Sequence, residues 1–225
     1  MEPSYDPTDR RPIATRQRAW SQSLAHWLVR RRMSANAISV IGMLCCIAAG
    51  IALAGTARVN PGWPERLLWL AAAILIQLRL LANMLDGMVA IESGQASPVG
   101  ELFNEVPDRI SDVAVFIGLG YAMHSSPTLG YLTAIAAILT AYIRVQARLA
   151  GAPANFGGPM AKQHRMFVTT VLALLMAALP TGWRPMVADG PYGLPALALL
   201  VILAGSAVTC IRRLAGAAGH LRGHK

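Results

Sequence analysis

Long apolar runs dominate this chain, and clusters of turn residues interrupt them at regular intervals. Six runs follow one another, at residues 36–57, 65–88, 108–123, 129–150, 166–183 and 194–213. Each approaches the roughly 20 residues that a helix needs to cross a bilayer. The breaks fall at Asn60-Pro61-Gly62, Ser125-Ser126-Pro127, Gly157-Gly158-Pro159 and Asp189-Gly190-Pro191, where proline and glycine punctuate the chain. Residues 1–12 are rich in Pro, Asp and Arg and read as disordered, and no apolar core follows early enough for a cleaved signal peptide. Between residues 14 and 33 the pattern turns amphipathic. Trp20, Leu24, Trp27 and Leu28, followed by Arg30, Arg31 and Arg32, predict a helix lying in the membrane interface with its Trp and Leu towards lipid. A helix packed on the protein itself fits the same pattern. The expected fold is an all-α integral membrane protein of six transmembrane helices preceded by an N-terminal amphipathic interfacial helix. It divides into an arm with that helix (1–33), a six-span domain (34–214) and a basic tail (215–225). No internal repeat is evident, which disfavours a transporter built of inverted halves.

Composition agrees. Hydrophobic residues make up 55% of the chain and charged residues 14%, against about 25% charged in soluble domains. The net charge of +9 lies in the arm, a few loops and the tail. These basic residues flank apolar runs and form no separate domain. They therefore point to anionic headgroups and phosphates as partners, and not to nucleic acid. Arg10 to Arg32, Arg109, Arg144, Arg148, Lys162, Arg165, Arg212 and Arg213 fall on one side of the predicted spans, and Arg58, Arg66 and Arg184 on the other. That asymmetry predicts a multi-pass protein of the cell inner (plasma) membrane with both termini cytoplasmic. Cys45, Cys46 and Cys210 sit inside apolar runs and have no metal-ligand or disulfide spacing, so they read as packing residues.

One polar cluster stands against this background. Asn83 and Asp86 are three apart, and Asn104 and Asp108 four apart, so on helices each pair shares a face. Two such helices facing each other bring four oxygen-bearing side chains to one point, an arrangement suited to hard divalent cations. Polar groups at a membrane edge are costly enough to need a function. A second group is basic. Arg144 and Arg148 share a face near the end of the fourth span, and Lys162 and Arg165 open the fifth. They read either as a phosphate pocket or as anchors of a cytoplasmic loop. Glu101, Glu105 and Asp112 read as solvated or paired carboxylates. Pro107 places the start of the third span near itself, with Glu101 in an earlier segment.

Asn83, Asp86-Gly87, Ala90, Gly100, Asn104 and Asp108 together resemble the signature of the CDP-alcohol phosphotransferases (CDP-alcohol phosphatidyltransferases), Asp-x2-Asp-Gly-x2-Ala-Arg, a spacer, then Gly-x3-Asp-x3-Asp. Ser34-Ala35-Asn36-Ala37-Ile38-Ser39 is similar to the stretch that opens the family's first span. Three positions depart from the pattern: Asn83 and Asn104 replace two aspartates, and Ile91 replaces the arginine. The chain thus resembles a variant branch of the family with Asn at both places. The resemblance implies transfer of a phosphatidyl group, or another substituted phosphate, from a CDP-linked lipid to a small polar alcohol, with release of CMP. The donor it implies is CDP-diacylglycerol and the product pathway is phospholipid synthesis.

The resemblance also implies roles. Asp108 takes the general-base position. Asp86, Asn83, Asn104 and Asp108 take the metal positions, with Mg²⁺ or Mn²⁺ as cofactor. Because an Asn carbonyl brings no charge, one tight and one weak metal site are expected. Gly87, Ala90 and Gly100 line the nucleotide pocket. Arg144, Arg148, Lys162 and Arg165 hold phosphate or acceptor, and Arg109 is placed to replace the arginine missing at Ile91. The family's usual state implies a homodimer surrounded by membrane lipid. Two other readings fit the departures: a degenerate member that binds CDP-lipid or a partner without turnover, and a small cation-linked transporter.

Overall fold

A computed structural model describes residues 18–94, 98–153, 155–187 and 190–223, with the side chains of Pro98 and Glu101 outside that description. The described residues form seven α-helices: α1 (Ala19–Arg30), α2 (Ala35–Gly55), α3 (Trp63–Glu92), α4 (Pro98–Gly120), α5 (Pro127–Leu149), α6 (Lys162–Ala178) and α7 (Leu194–Gly223). A single 3-10 turn at Thr181–Trp183 precedes α7. No strand forms among the described residues, only one bridge between Met186 and Gly193.

Local chemistry explains the boundaries. Ser34 caps α2 by accepting from the Ala37 amide at 3.2 Å, and Ser126 caps α5 by accepting from Leu129 at 3.4 Å, each satisfying an orphan N–H of the first turn. Pro64 and Pro127 occupy first-turn positions, where a missing N–H costs nothing. Gly62 has φ +139° and Gly158 has φ +133°, a backbone region that residues with a Cβ rarely enter.

α2, α5, α3 and α7 are long and apolar enough to cross a membrane. α4 is too polar for that description, since it carries Glu105, Asp108, Arg109 and Asp112, and α6 has only 17 residues. Both nevertheless belong to the same bundle. α4 packs against α2 and α5, and α6 against α3. Trp69, Ile76, Phe116, Leu119, Met166, Met176, Leu199 and Ile202 meet in one core.

Three boundaries differ from the sequence expectation. α4 begins at Pro98, and Pro107 lies inside it, so Gly100, Asn104 and Asp108 share one helix. The Ser111 hydroxyl donates to the Pro107 carbonyl at 2.7 Å, and packing on α2 and α5 holds the helix despite its missing hydrogen bond. α7 continues to Gly223, so residues 215–223 extend the helix of the last run. α6 ends at Ala178, because Pro180 and Gly182 follow it. In α1, Ala25 and Leu28 are buried while Trp20 and Trp27 are about half exposed. The helix thus packs on α3 through one face and presents its tryptophans outward. Residues 1–17 lie outside the described residues.

Close helix contact depends on small residues. A Cβ on Gly118 would come within 2.2 Å of the Gly50 carbonyl oxygen, and one on Gly50 within 2.3 Å of the Ala114 carbonyl oxygen. Backbone cannot yield as a flexible side chain can. Gly118→Ala is therefore expected to destabilise the bundle by about 1–3 kcal/mol through overpacking, read as a lower thermal unfolding temperature in detergent.

Candidate active site

α3 has 30 residues, roughly 45 Å of helix, which exceeds the ~30 Å hydrocarbon core. Its last turns carry the polar cluster. Arg79, Asn83, Asp86 and Ala90 follow at intervals of four, three and four, so they form one stripe. Arg79 is 1% exposed and Asp86 3%.

Three other helices complete the site around this stripe. From α2, the Ser39 hydroxyl donates to Asp86 Oδ2 at 2.5 Å. Arg79 Nη1 donates to the Ser39 carbonyl at 3.3 Å, and its Nη2 donates to Asp108 Oδ1 on α4. Asn83 Nδ2 donates to the same Asp108 oxygen at 2.7 Å. From α6, the Lys162 ammonium ion-pairs with it as well. Arg79 and Ser39 thus link the two aspartates, and Asp108 Oδ1 faces two cations and an amide.

A second layer of charge lies beside this one. Arg144 donates to Glu105 at 2.5 Å and lies 4.9 Å from the Phe156 ring centroid, a cation–π distance. Arg109 stands between three carboxylates, 3.8 Å from Glu105 and 3.7 Å from both Asp108 and Asp112. Arg165 is fully buried and donates to Asp112 at 2.8 Å, to Thr140 at 3.0 Å and to the Met160 carbonyl at 2.9 Å. Arg213 on α7 donates to the carbonyls of Gly157, Thr140 and Phe156. It therefore pins the loop that leads into Lys162.

Two buried oxygens are candidate donors to a divalent ion. Asp86 Oδ1 and Asn104 Oδ1 are buried with no hydrogen-bond partner, which leaves two hard oxygen donors of the kind Mg²⁺ and Mn²⁺ take. Asp108 Oδ1 is already engaged by Arg79, Asn83 and Lys162. Among the described residues, no three His, Cys, Asp or Glu side chains form a metal-binding group. Because the Ser39 hydroxyl orients Asp86, Ser39→Ala is expected to weaken binding of Mn²⁺ alone by about tenfold or more, measured by titration calorimetry.

This constellation can be set beside known proteins. The profile of the CDP-alcohol phosphatidyltransferase family matches residues 32–215. The chain belongs to that family. Its relatives include inner membrane protein YnbA of Escherichia coli, 27% identical over 154 residues covering 68% of this chain and 73% of that one. Phosphatidylinositol phosphate synthase of Mycobacterium marinum is 27% identical over 197 residues, covering 85% of this chain and 76% of that one. Among solved structures, Mycobacterium tuberculosis phosphatidylinositol phosphate synthase with CDP-DAG bound superposes with a TM-score of 0.68. That match covers 88% of this chain and 92% of that one at 20% identity. The same enzyme in complex with manganese and citrate gives 0.68 at 21% identity, covering 88% of each chain. The likeness at this identity is one of fold. As a family member with its apolar helices, the chain is a multi-pass membrane transferase of phospholipid synthesis.

Within this family fold, the structure sorts the residues singled out from sequence. Asp86, Asn83, Asp108, Lys162 and Arg109 come together, with Asn104 on the α4 face that carries Asp108. Ala90 is buried one turn beyond Asp86, while Gly87 and Gly100 are partly exposed on α3 and α4. Arg144 reaches the edge through Glu105. Arg148 is exposed at the end of α5, and Arg165 lies beneath the site on Asp112. Glu105 and Asp112 are paired carboxylates, while the Glu101 side chain lies outside the description. Ile91, at the family's arginine position, is 55% exposed.

Two residues went unassigned in the sequence reading. Ser39 ends the motif-like stretch that opens α2, but nothing in that stretch gave it a partner. Arg79 had a legible signal, since it is an arginine inside an apolar span and lies on the stripe of Asn83 and Asp86.

Proposed function

We propose that this enzyme transfers a phosphatidyl group from CDP-diacylglycerol to a small polar alcohol, releasing CMP. The observation that carries the reading is the joining of Asp86 and Asp108, from α3 and α4, through Ser39 and Arg79. Family membership, and a structural neighbour with CDP-DAG bound, support the donor.

The chemistry follows from the charges. The acceptor hydroxyl oxygen attacks the phosphorus that bears the diacylglycerol, and the bond from that phosphorus to the CMP oxygen breaks. Asp108 takes the hydroxyl proton, a role for a carboxylate within hydrogen-bond reach. The incoming diphosphate draws Lys162 from Asp108, and the proton goes to Asp108 Oδ2, which faces Arg109 at 3.7 Å while Arg79 and Asn83 hold Oδ1. Arg79 stays beneath it and opposes the negative charge that develops on the leaving phosphate. Asp86 and Asn104 would hold a Mg²⁺ or Mn²⁺ ion, which supplies Lewis-acid neutralisation of the diphosphate. Gly87, Ala90 and Gly100 form the wall for the nucleotide, and Arg109, Arg144 and Arg148 border the acceptor side.

The finer topology belongs to the same proposal. α4 and α6 complete six crossings, with both termini on the cytoplasmic side of the inner membrane, where CDP-linked substrates and Mg²⁺ are available. α1 lies in the interface with Trp20 and Trp27 in the headgroup layer. A homodimer follows from the family resemblance.

The test is incubation of the purified protein with CDP-diacylglycerol, Mn²⁺ and a panel of alcohols, including inositol phosphate, glycerol phosphate and serine. A new phospholipid whose mass matches one acceptor is expected. No new lipid with any acceptor, from a protein shown to bind CDP-diacylglycerol, would support the non-catalytic reading.

A further inference from the structure

We infer that Arg79 and Lys162 are built-in cations that stand in for one divalent ion, so that this site works with a single metal. The inference deepens the proposed function and rests on it for the identity of the diphosphate. Three observations converge.

Two of the four motif carboxylates are the neutral amides Asn83 and Asn104, which removes two of the negative charges that would hold a pair of divalent ions. In the same stripe, Asn83 presents its amide nitrogen to Asp108 at 2.7 Å, and so serves Asp108 as a donor there. Finally, Asp108 Oδ1 receives the Arg79 guanidinium and the Lys162 ammonium, and its Oδ2 faces Arg109 at 3.7 Å, so cations stand on both oxygens.

Charge balance gives the same answer. Among the described residues, the carboxylates around the site are Asp86, Glu105, Asp108 and Asp112. The cations facing them are Arg79, Arg109, Arg144, Lys162 and Arg165. Among the described side chains, five cations thus face four carboxylates. Once one divalent ion is bound, these groups are net positive, which disfavours a second divalent ion at close range and attracts a diphosphate. Arg79 is suited to a permanent charge, because a guanidinium stays protonated even when buried. Lys162, at the first turn of α6 and 16% exposed, is placed to shift from Asp108 to a phosphate oxygen.

The experiment counts metal ions and does not depend on turnover. Mn²⁺ alone is titrated into the purified protein, with free Mn²⁺ read by electron paramagnetic resonance. Wild type is expected to bind one ion per chain. Asn83→Asp combined with Lys162→Met restores a carboxylate and removes the mobile cation, so it is expected to bind two. Arg79→Met is avoided as the primary variant because it leaves Asp108 buried beside an apolar side chain, which endangers folding. Lys162 is partly exposed, and Asn83→Asp is nearly isosteric. Size exclusion and circular dichroism confirm that the double variant is folded. Two ions in wild type, none in wild type, or one in the folded double variant would each overturn the inference. A failure of the proposed transfer would appear separately, as no new phospholipid at any Mn²⁺ concentration.

Discussion

Asp108→Asn protein is expected to turn over CDP-diacylglycerol about 10²–10⁴-fold more slowly than wild type, the range lost with a general base. The substitution preserves side-chain size and leaves an oxygen for Arg79, so the bundle persists while the proton acceptor is gone. Asp108→Ala is a harsher change. It leaves Arg79, 1% exposed, without its carboxylate, and breaking a buried pair from one side costs about 3–5 kcal/mol. Steady-state CMP release gives the rate, and size exclusion separates a slow enzyme from an unfolded one. Equal activity in wild type and Asp108→Asn would remove Asp108 from proton transfer.

Glu65→Ala is expected to cause the largest loss of stability with the least direct effect on chemistry. Glu65 lies in the first turn of α3 and is fully buried. It accepts from Trp69 Nε1 at 3.0 Å and pairs with Arg184, whose Nη2 also donates to the Met176 carbonyl at 2.8 Å. These contacts tie α3 to the end of α6 and the segment beyond it. Removing the carboxylate leaves a buried guanidinium without its counter-ion, at a cost of about 3–5 kcal/mol. Asp86 lies 21 residues further along α3, roughly 30 Å away. Thermal unfolding should therefore shift strongly downward. CMP release per folded molecule, measured well below that transition, should stay within a few-fold of wild type. A large activity loss without a stability loss would mean that the pair is coupled to catalysis.

Much of the architecture was legible because apolar runs and turn clusters are local signals. The run at 36–57 became α2 and the run at 65–88 became α3, with ends moved by only a few residues. The start of α4 was not legible. Pro107 is a strong local breaker, and only the packing of α4 against α2 and α5, a tertiary effect, carries the helix through it. For the site, the spacing of Asp86, Gly87, Ala90, Gly100 and Asp108 identified α3 and α4, two of the four helices that build it. Partners distant in sequence could not be read that way. Ser39 is 47 residues from Asp86, and Lys162 lies 54 residues beyond Asp108, so only the fold brings them together. Arg79 is the instructive omission, because its position within an apolar span already marked it as a functional group.

The most direct measurement is CMP released per molecule of phospholipid formed, by purified wild-type protein in liposomes containing CDP-diacylglycerol, with and without Mn²⁺. One CMP per new phospholipid is expected, dependent on Mn²⁺ and on the acceptor alcohol. CDP-diacylglycerol bound by the folded protein with no CMP released under any of these conditions would contradict it.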